Sequence, residues 1–225
     1  MGQDEGSMKL SLYIAVCTLG QVRAEWALKF GAQVRPMGRR HYIQLLEGFT
    51  DINLVRNIAV YIAMQKGAEY LMFYDDDVLP HSAHNMSKLL STMDQNPDVS
   101  VVGGVYPRRS HMPEPLVVQE RGGGTWWGWQ DGKVHKVYLT ATGFTMYRVA
   151  DLAALDVPVK EMEEGQQVKQ FFCSGDGFSD DFYFAELLAQ EGKQWWVHGD
   201  VTCDQIDLDS TRYEIKDAQQ VLVTA

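Results

Sequence analysis

The chain contains 225 residues, of which 45% are hydrophobic and 22% are charged, as in an ordinary soluble globular protein. This length fits one large domain that can bury a real core. The formal net charge of −10 argues against broad, sequence-independent binding of nucleic acid, which requires a basic face.

In residues 9–106, strand patterns alternate with helix patterns. The predicted strands are 9–17, 41–46, 70–74 and 99–105. The predicted helices are 21–30, a segment that Asp51 caps and Gly67 ends, and 80–93. This alternation indicates an α/β sheet with right-handed crossovers, in which ligands bind outside the carboxyl ends of the strands.

The second half of the chain has a different character. Residues 107–131 are rich in Pro, Gly, Arg and Trp. The elements predicted after them are β segments over 133–139 and 144–147, a helix over 149–155, a loop over 157–177, a helix over 179–191, a strand over 194–197 and a polar tail. Because neither repeats nor a clean linker interrupt the sequence, we expect a single domain over 9–225, preceded by a leader or disordered arm over 1–8.

The three cysteines, Cys17, Cys173 and Cys203, are an odd number and form no CxxC pair. They indicate a reducing, cytoplasmic location and neither a disulfide framework nor a zinc site. No apolar run approaches the length of a membrane span, and the N-terminus lacks the hydrophobic core of a secretory signal. We therefore expect a soluble protein without a stable membrane anchor.

The segment EYLMFYDDDVLP, residues 69–80, is the most informative stretch. An apolar strand pattern ends in Asp75, Asp76 and Asp77. Adjacent carboxylates repel one another, so each needs water, a hydrogen-bond donor or a cation. Mg²⁺ and Mn²⁺ are typically held by one or two carboxylates together with substrate phosphates. The alternative is a solvated acidic turn that caps the next helix.

Four further segments accompany the acidic strand end in a fixed order. They are Arg56-Asn57 early in the preceding helix, Gly103 to Arg109 at a strand exit, the turn Ala141 to Phe144, and Phe178 to Phe184 with its acidic pair. This ordered set resembles glycosyltransferases of the GT-A fold, close to the family-2-like members that use nucleotide sugars and a DxD motif. The resemblance spans roughly 9–207, and the ordered set is far more specific than the DxD alone.

The resemblance implies a Rossmann-like α/β domain in which helices flank a mostly parallel central sheet, with a smaller β region on the acceptor side. Residues 9–106 would bind the nucleotide sugar, 107–207 would carry the acceptor site and catalysis, and 208–225 would form a tail. It also implies Mn²⁺ or Mg²⁺ as cofactor and a nucleotide-diphosphate sugar as donor substrate.

The resemblance also assigns roles on the donor side. Asp75 and Asp77 match the DxD acids, with Asp77 as the principal metal ligand and Asp75 nearer the ribose or the metal. Asp76, between them, is also expected to contact the donor. Thr18 matches the residue that meets the base or ribose, and Arg56 a basic residue that faces the donor. Gly143, in the turn before a strand, is expected to contact the donor. The alternative for Arg56 is an ordinary salt bridge on a helix surface.

On the catalytic side, Asp180-Asp181 resembles the acidic motif whose second member is the base in inverting enzymes. Asp181 is the expected base and Asp180 an acceptor-side residue. The alternative is that Ser179 and Asp180 merely cap the helix and favour its dipole.

The third protein ligand of the metal is open. Where the family commonly has a metal-binding histidine, the chain appears by count to have Gln205. Gln205 or the adjacent Asp204 could complete the site, His198 could swing in, or the metal could keep an extra water.

Tryptophans and arginines form a second conspicuous cluster. Trp126 and Trp127, with Arg108 and Arg109 nearby, are expected to bind the acceptor, because aromatic faces stack on sugars or bases and arginine grips phosphate. The alternative is that the tryptophans pack inward. The acceptor could be a glycan, a protein or a modified nucleobase, and the oligomeric state is open.

The sequence thus predicts a metal-dependent transferase, of the hexosyltransferase type, that acts on a hydroxyl acceptor with inversion. One alternative is a non-catalytic sugar- or nucleotide-binding module of the same fold. A second is a sugar-nucleotide nucleotidyltransferase, which residues 17–23 disfavour because they contain one glycine and one arginine.

Overall fold

The computed structural model describes residues 10–34, 39–47, 51–162, 165–175 and 177–215. The strands are β1 Leu12–Thr18, β2 His41–Glu47, β3 Tyr70–Tyr74, β4 Val78–Pro80, β5 Val101–Val105, β6 Val117–Val118, β7 Val134–Val137, β8 Leu139–Thr140, β9 Phe144–Arg148, β10 Val159–Glu161, β11 Gln167–Lys169, β12 Trp195–Ile206 and β13 Arg212–Tyr213. The helices are α1 Ala24–Gln33, α2 Ile52–Gln65, α3 Asn85–Gln95, α4 Val149–Ala154 and α5 Asp180–Gln190, with a 3-10 turn at Gly128–Asp131. The predicted arm over 1–8 and the tail after 215 lie outside the described residues.

One large sheet organises the chain. Its strand order is β13-β12-β5-β9-β3-β1-β2, and β4 and β7 also pair with β12. β1 is parallel to β2 and β3, and β5 is parallel to β12, whereas β9 is antiparallel to both of its neighbours. β1, β3 and β5 are buried along their whole length, which explains their continuous apolar runs. The prediction of a mostly parallel central sheet flanked by helices is confirmed.

Helix α2 begins as the sequence predicts. The Asp51 carboxylate accepts hydrogen bonds from the backbone N–H groups of Asn53, at 3.0 Å, and Leu54, at 3.4 Å. Val55, Ala59 and Ala63 of its apolar stripe are buried against the sheet. Among the residues that the structure describes, no helix is long and apolar enough to cross a membrane.

Three local predictions need correction. A short strand, Val78–Pro80, follows the acidic triplet, so the helix predicted from 80 begins only at Asn85. The predicted loop over 157–177 contains the hairpin of β10 and β11. The strand predicted over 194–197 extends to Ile206, because an irregularity between Val197 and Thr202 lets β12 change partners from β7 to β4.

The antiparallel orientation of β9 positions the site. β1, β3 and β5 end at one edge of the sheet, at Thr18, Tyr74 and Val105. Because β9 runs the opposite way, its first residue, Phe144, lies at this same edge, opposite Tyr74. The turn before β9 therefore meets the acidic triplet that follows β3.

Candidate functional site

Gly143 lies where two strand ends meet. The backbone N–H of Asp75 donates to the Gly143 carbonyl at 2.8 Å, and the Gly143 N–H donates to the Tyr106 hydroxyl at 2.7 Å. A Cβ atom on Gly143 would lie 2.6 Å from the Tyr106 hydroxyl oxygen and 2.7 Å from Asp75 Oδ2. Glycine is required here because the side chains of Tyr106 and Asp75 approach the backbone closely.

Arg56 joins the acidic triplet to the acidic pair of α5. Its Nη2 lies 2.9 Å from Asp75 Oδ2, and its Nη1 forms an ion pair with Asp180. The guanidinium is buried, so the surface salt-bridge alternative is wrong. Burial raises the pKa of the Asp75 carboxyl, and the Arg56 charge opposes that rise.

Asp181 lies in the first turn of α5 and is fixed by Thr142. The backbone N–H and the hydroxyl of Thr142 donate to Asp181 Oδ1 at 3.1 Å and 2.8 Å. Burial, followed by repulsion from Asp180, raises the pKa of Asp181 to about 6. A carboxylate of this pKa is suited to accept a proton near neutral pH. Ser179 occupies the N-cap position, but its side chain makes no capping hydrogen bond.

Asp77 has partners on another side of the site. Its Oδ2 forms an ion pair with Arg109 and accepts a hydrogen bond from Gln205 Nε2 at 3.3 Å. Gln205 reaches Asp77 because β12 pairs with β4 in a register that sets Gln205 opposite Val78. The Asp77 backbone carbonyl also accepts a hydrogen bond from the N–H of Ile206, at 2.8 Å.

The other two candidates for the third metal ligand lie elsewhere. Asp204 is buried, and its Oδ1 lies 2.6 Å from His81 Nε2. His198 pairs with Val134 in the part of β12 that faces β7. Burial lowers the pKa of His198, and its Nδ1 accepts a hydrogen bond from the N–H of Asp200. Gln205 is therefore the one of the three that contacts Asp77.

The acidic side chains retain free oxygen atoms. Asp75 Oδ1 and Asp77 Oδ1 are buried and have no hydrogen-bond partner. Within the described ranges, the structure contains no group of three or more His, Cys, Asp or Glu side chains that could hold a metal ion by themselves. Two carboxylates suit Mg²⁺ or Mn²⁺, which complete their coordination with water and substrate oxygen atoms, and do not suit zinc. The Gln205 amide presents its Nε2 to Asp77, so it would have to turn over to offer its oxygen to a metal.

Two cavities of about 440 Å³ each meet at Asp181. We call the one that contains Asp75, Asp76 and Asp77 the acidic cavity. Its apolar part is lined by Leu19, Leu46 and Ile52. We call the other the adjoining cavity; its lining includes Glu114, Gly123, Gly124 and Phe182. Asp181 lines both cavities, together with Leu116 and Ala141.

Most of the site residues predicted from the sequence line the acidic cavity. They are Thr18, Arg56, Asp75, Asp76, Asp77, Arg109, Asp180, Asp181 and Gln205. Arg109 and Asp180 were expected on the acceptor side, and the structure places them here because they pair with Asp77 and Arg56.

The acceptor-side residues are only partly brought together. Arg108 lines the adjoining cavity and lies 2.7 Å from Glu114. Trp126 and Trp127 are half-buried, pack against the hydrophobic core and line neither cavity, as the inward-packing alternative describes. The exposed ring of Phe182 lines the adjoining cavity instead.

Sequence reasoning assigned no role to Tyr106, Thr142, Glu114 or Phe182. Three of them lie within segments that carry the resemblance: Tyr106 in Gly103 to Arg109, Thr142 in Ala141 to Phe144, and Phe182 in Phe178 to Phe184. Glu114 carries no local signal of its own.

No protein-family model and no curated protein matches the chain. Solved structures do match it. The crystal structure of GalNAc-T7 with UDP, GalNAc and Mn²⁺ is similar with a TM-score of 0.58 and 8% identity, over 92% of this chain and 44% of that one. A glycosyltransferase involved in the glycosylation of the major capsid of PBCV-1 matches with a TM-score of 0.35 and 14% identity, over 64% of this chain and 62% of that one. The likeness to GalNAc-T7 confirms the predicted GT-A fold, and the chain spans less than half of that protein's length.

Proposed function

We propose that this chain of GT-A fold is a metal-dependent glycosyltransferase that moves a sugar, expected to be a hexose, from a nucleotide-diphosphate sugar to an acceptor hydroxyl. One observation carries the proposal: Asp181, a carboxyl group with a pKa of about 6, lies where two cavities meet. The binding of UDP, GalNAc and Mn²⁺ by GalNAc-T7, which has a similar fold, supports it.

The acidic cavity suits the donor. Thr18 and Leu19 border a part that can accept a base and ribose, and the carboxylates border a part that can accept a diphosphate through a cation. Asp75, Asp77 and Gln205 would hold Mn²⁺ or Mg²⁺, which when bound neutralises the charge that develops on the leaving diphosphate.

Asp181 supplies the proton chemistry. An acceptor hydroxyl in the adjoining cavity transfers its proton to Asp181 while its oxygen bonds to the anomeric carbon of the sugar. The bond from that carbon to the diphosphate breaks, and the diphosphate leaves in the acidic cavity. Attack and departure on opposite sides invert the anomeric centre.

Donor binding can be tested without knowing the acceptor. A panel of nucleoside diphosphates is added with and without Mn²⁺ while thermal unfolding is followed. A ligand at 100 times its dissociation constant adds about 2.7 kcal/mol, which corresponds to a rise of roughly 5–10 °C in a chain of this size. Asp77→Ala should lose the Mn²⁺-dependent part of the rise. If no diphosphate stabilises the protein with any divalent metal, the proposal is wrong.

A non-catalytic binding module is the second candidate, because an amide, Gln205, stands beside Asp77 where the family commonly has a histidine. Both candidates predict donor binding. They differ in turnover. Turnover can be measured without the acceptor, because an active transferase slowly transfers the sugar to water. If the wild type hydrolyses a nucleotide sugar in a metal-dependent way and Asp181→Asn does not, the protein is an enzyme. If the wild type hydrolyses none of the nucleotide sugars that stabilise it, the binding module is supported.

A further inference from the structure

Arg56 and Arg109 balance the acidic residues in different ways. The Arg56 side chain is 7% exposed and is fixed between Asp75 and Asp180. The Arg109 side chain is 38% exposed and contacts Asp77 and, at 3.5 Å, Asp207. Arg56 is therefore a fixed counterion. The Arg109 guanidinium, in contrast, is already in contact with water and can separate from the Asp77 carboxylate while it stays hydrated.

The Arg109 guanidinium lies against the carboxylate that the proposed function assigns to the metal. It pairs with Asp77 Oδ2, while Oδ1 of the same carboxylate is buried without a partner. A divalent cation bound at Asp77 would repel a guanidinium on the same group. Binding of one therefore weakens binding of the other.

A second destination for Arg109 is close by. Arg56 and Arg109 are the basic residues among the described residues that line the acidic cavity. Because Arg56 is already paired with two carboxylates, Arg109 is the cation that can bind a diphosphate entering this cavity. Guanidinium groups bind phosphate oxygen atoms through strong, charge-assisted hydrogen bonds.

We propose that Arg109 is an exchangeable counterion. Before the cation binds, Arg109 neutralises the Asp77 carboxylate. When the cation binds to Asp77, the Arg109 guanidinium separates from that carboxylate and then binds the diphosphate. This inference rests on the proposed donor site. Its consequence is coupling: the cation alone binds weakly, and the diphosphate strengthens cation binding because it stabilises the displaced arginine.

The first test measures Mn²⁺ binding alone, by calorimetry and by the electron paramagnetic resonance signal of free Mn²⁺. Arg109→Gln should bind Mn²⁺ roughly 2- to 5-fold more tightly than the wild type, since the competing charge is gone. Arg108→Gln is the matched control, because it removes the same charge one residue away from a pair with Glu114. Its affinity for Mn²⁺ should change less than twofold.

The second test adds inorganic pyrophosphate, which contains the diphosphate but no base. Pyrophosphate should raise the affinity of the wild type for Mn²⁺ by about tenfold or more, and that gain should largely disappear in Arg109→Gln. Equal Mn²⁺ affinity of the wild type and Arg109→Gln, undetectable Mn²⁺ binding in both, or an unchanged pyrophosphate effect would each overturn the inference. The two proposals can fail separately. If Arg109→Gln binds Mn²⁺ more tightly but no nucleoside diphosphate stabilises the protein, then Arg109 and the cation do compete for Asp77, and the proposed transferase function is wrong.

Discussion

Asp181 is a carboxyl group in surroundings that disfavour its charge. Burial and the neighbouring Asp180 raise its pKa to about 6, although two hydrogen bonds from Thr142 stabilise the carboxylate. The residue is therefore half protonated near pH 6 and largely ionised at neutral pH. This is the property that a base needs if it is to accept a proton and release it again.

Asp181→Asn should preserve donor binding and lower the transfer or hydrolysis rate by about 10²- to 10⁴-fold. The amide oxygen can still accept both hydrogen bonds from Thr142, so the change is confined to the proton acceptor. Rates of nucleotide-sugar turnover and the thermal shift with donor are the measurements. Turnover within tenfold of the wild type would remove Asp181 as the base.

The same variant should be more stable than the wild type at pH 7.5. The folded pKa of Asp181, about 6, lies above its unfolded value of about 4, so its contribution to stability is full below pH 4 and is lost as the pH rises through 6. The uncharged amide of the variant avoids this penalty, so the melting-temperature gain of Asp181→Asn should shrink between pH 7.5 and pH 4.5. A gain that is equal at both pH values would contradict the raised pKa.

Gly143→Ala should weaken metal-dependent donor binding. The new Cβ displaces Asp75 or Tyr106, both of which lie within 2.7 Å of its position. Such overpacking typically lowers the free energy of unfolding by about 1–3 kcal/mol. Gly31→Ala in α1 is the control, because nothing lies within 4 Å of its Cβ position. Normal donor affinity in Gly143→Ala, measured by calorimetry, would show that the close approach to Asp75 is not needed.

At the level of elements, α2 connects two parts of the site through adjacent residues. Arg56 pairs with the carboxylates, whereas Asn57 is fully buried and holds the chain that leads to α5. Asn57 Oδ1 accepts from the N–H groups of Phe171 at 2.7 Å and Phe172 at 3.0 Å, and Nδ2 donates to the Phe172 carbonyl at 2.8 Å. Asn57 therefore fixes the backbone at Phe172, whose ring stacks on that of Phe184 in α5, with 5.1 Å between the ring centroids.

Asn57→Ala should lower the free energy of unfolding by about 2–4 kcal/mol, because it leaves several buried backbone groups without partners. Urea denaturation measures this loss. Asn53→Ala is the control in the same helix, since the Asn53 amide donates to Ser174 at an exposed position and its loss should lower the free energy of unfolding by less than about 1 kcal/mol. Equal losses in the two variants would contradict the role given to Asn57.

At the level of the whole molecule, the two predicted functional halves share one sheet. β9, from the second half, lies between β3 and β5 of the first half and pairs with both. The carboxylates of the acidic triplet and Asp181, the proposed base, therefore reach the site from opposite halves of the chain. The single-domain prediction stays a prediction, and this interleaving supports it.

Residues 9–106 expressed alone should not fold cooperatively, because β3 and β5 lose the strand that joins them. The full chain should unfold in one transition, with coincident curves from circular dichroism and tryptophan fluorescence. A fragment over 9–106 that melts cooperatively would show that the halves are separate folding units.

From the sequence alone, local patterns predicted an α/β sheet, most of its elements and the acidic residues of the site, and the resemblance carried by an ordered set of motifs predicted the GT-A fold. The local patterns are apolar runs, the cap at Asp51, and the abrupt end of a strand at Asp75 to Asp77. The resemblance predicted Thr18, Arg56 and Asp181 as site residues, and all three line the acidic cavity.

Which residues accompany these acids depends on the tertiary structure. The register of β4 on β12 places Gln205 beside Asp77 and directs Asp204 to His81, and a shift of one residue would reverse the two. The inward packing of Trp126 and the pairing of Arg109 with Asp77 likewise depend on contacts between segments distant in the chain. Strand register and burial are properties of such non-local contacts, so no pattern within one segment records them.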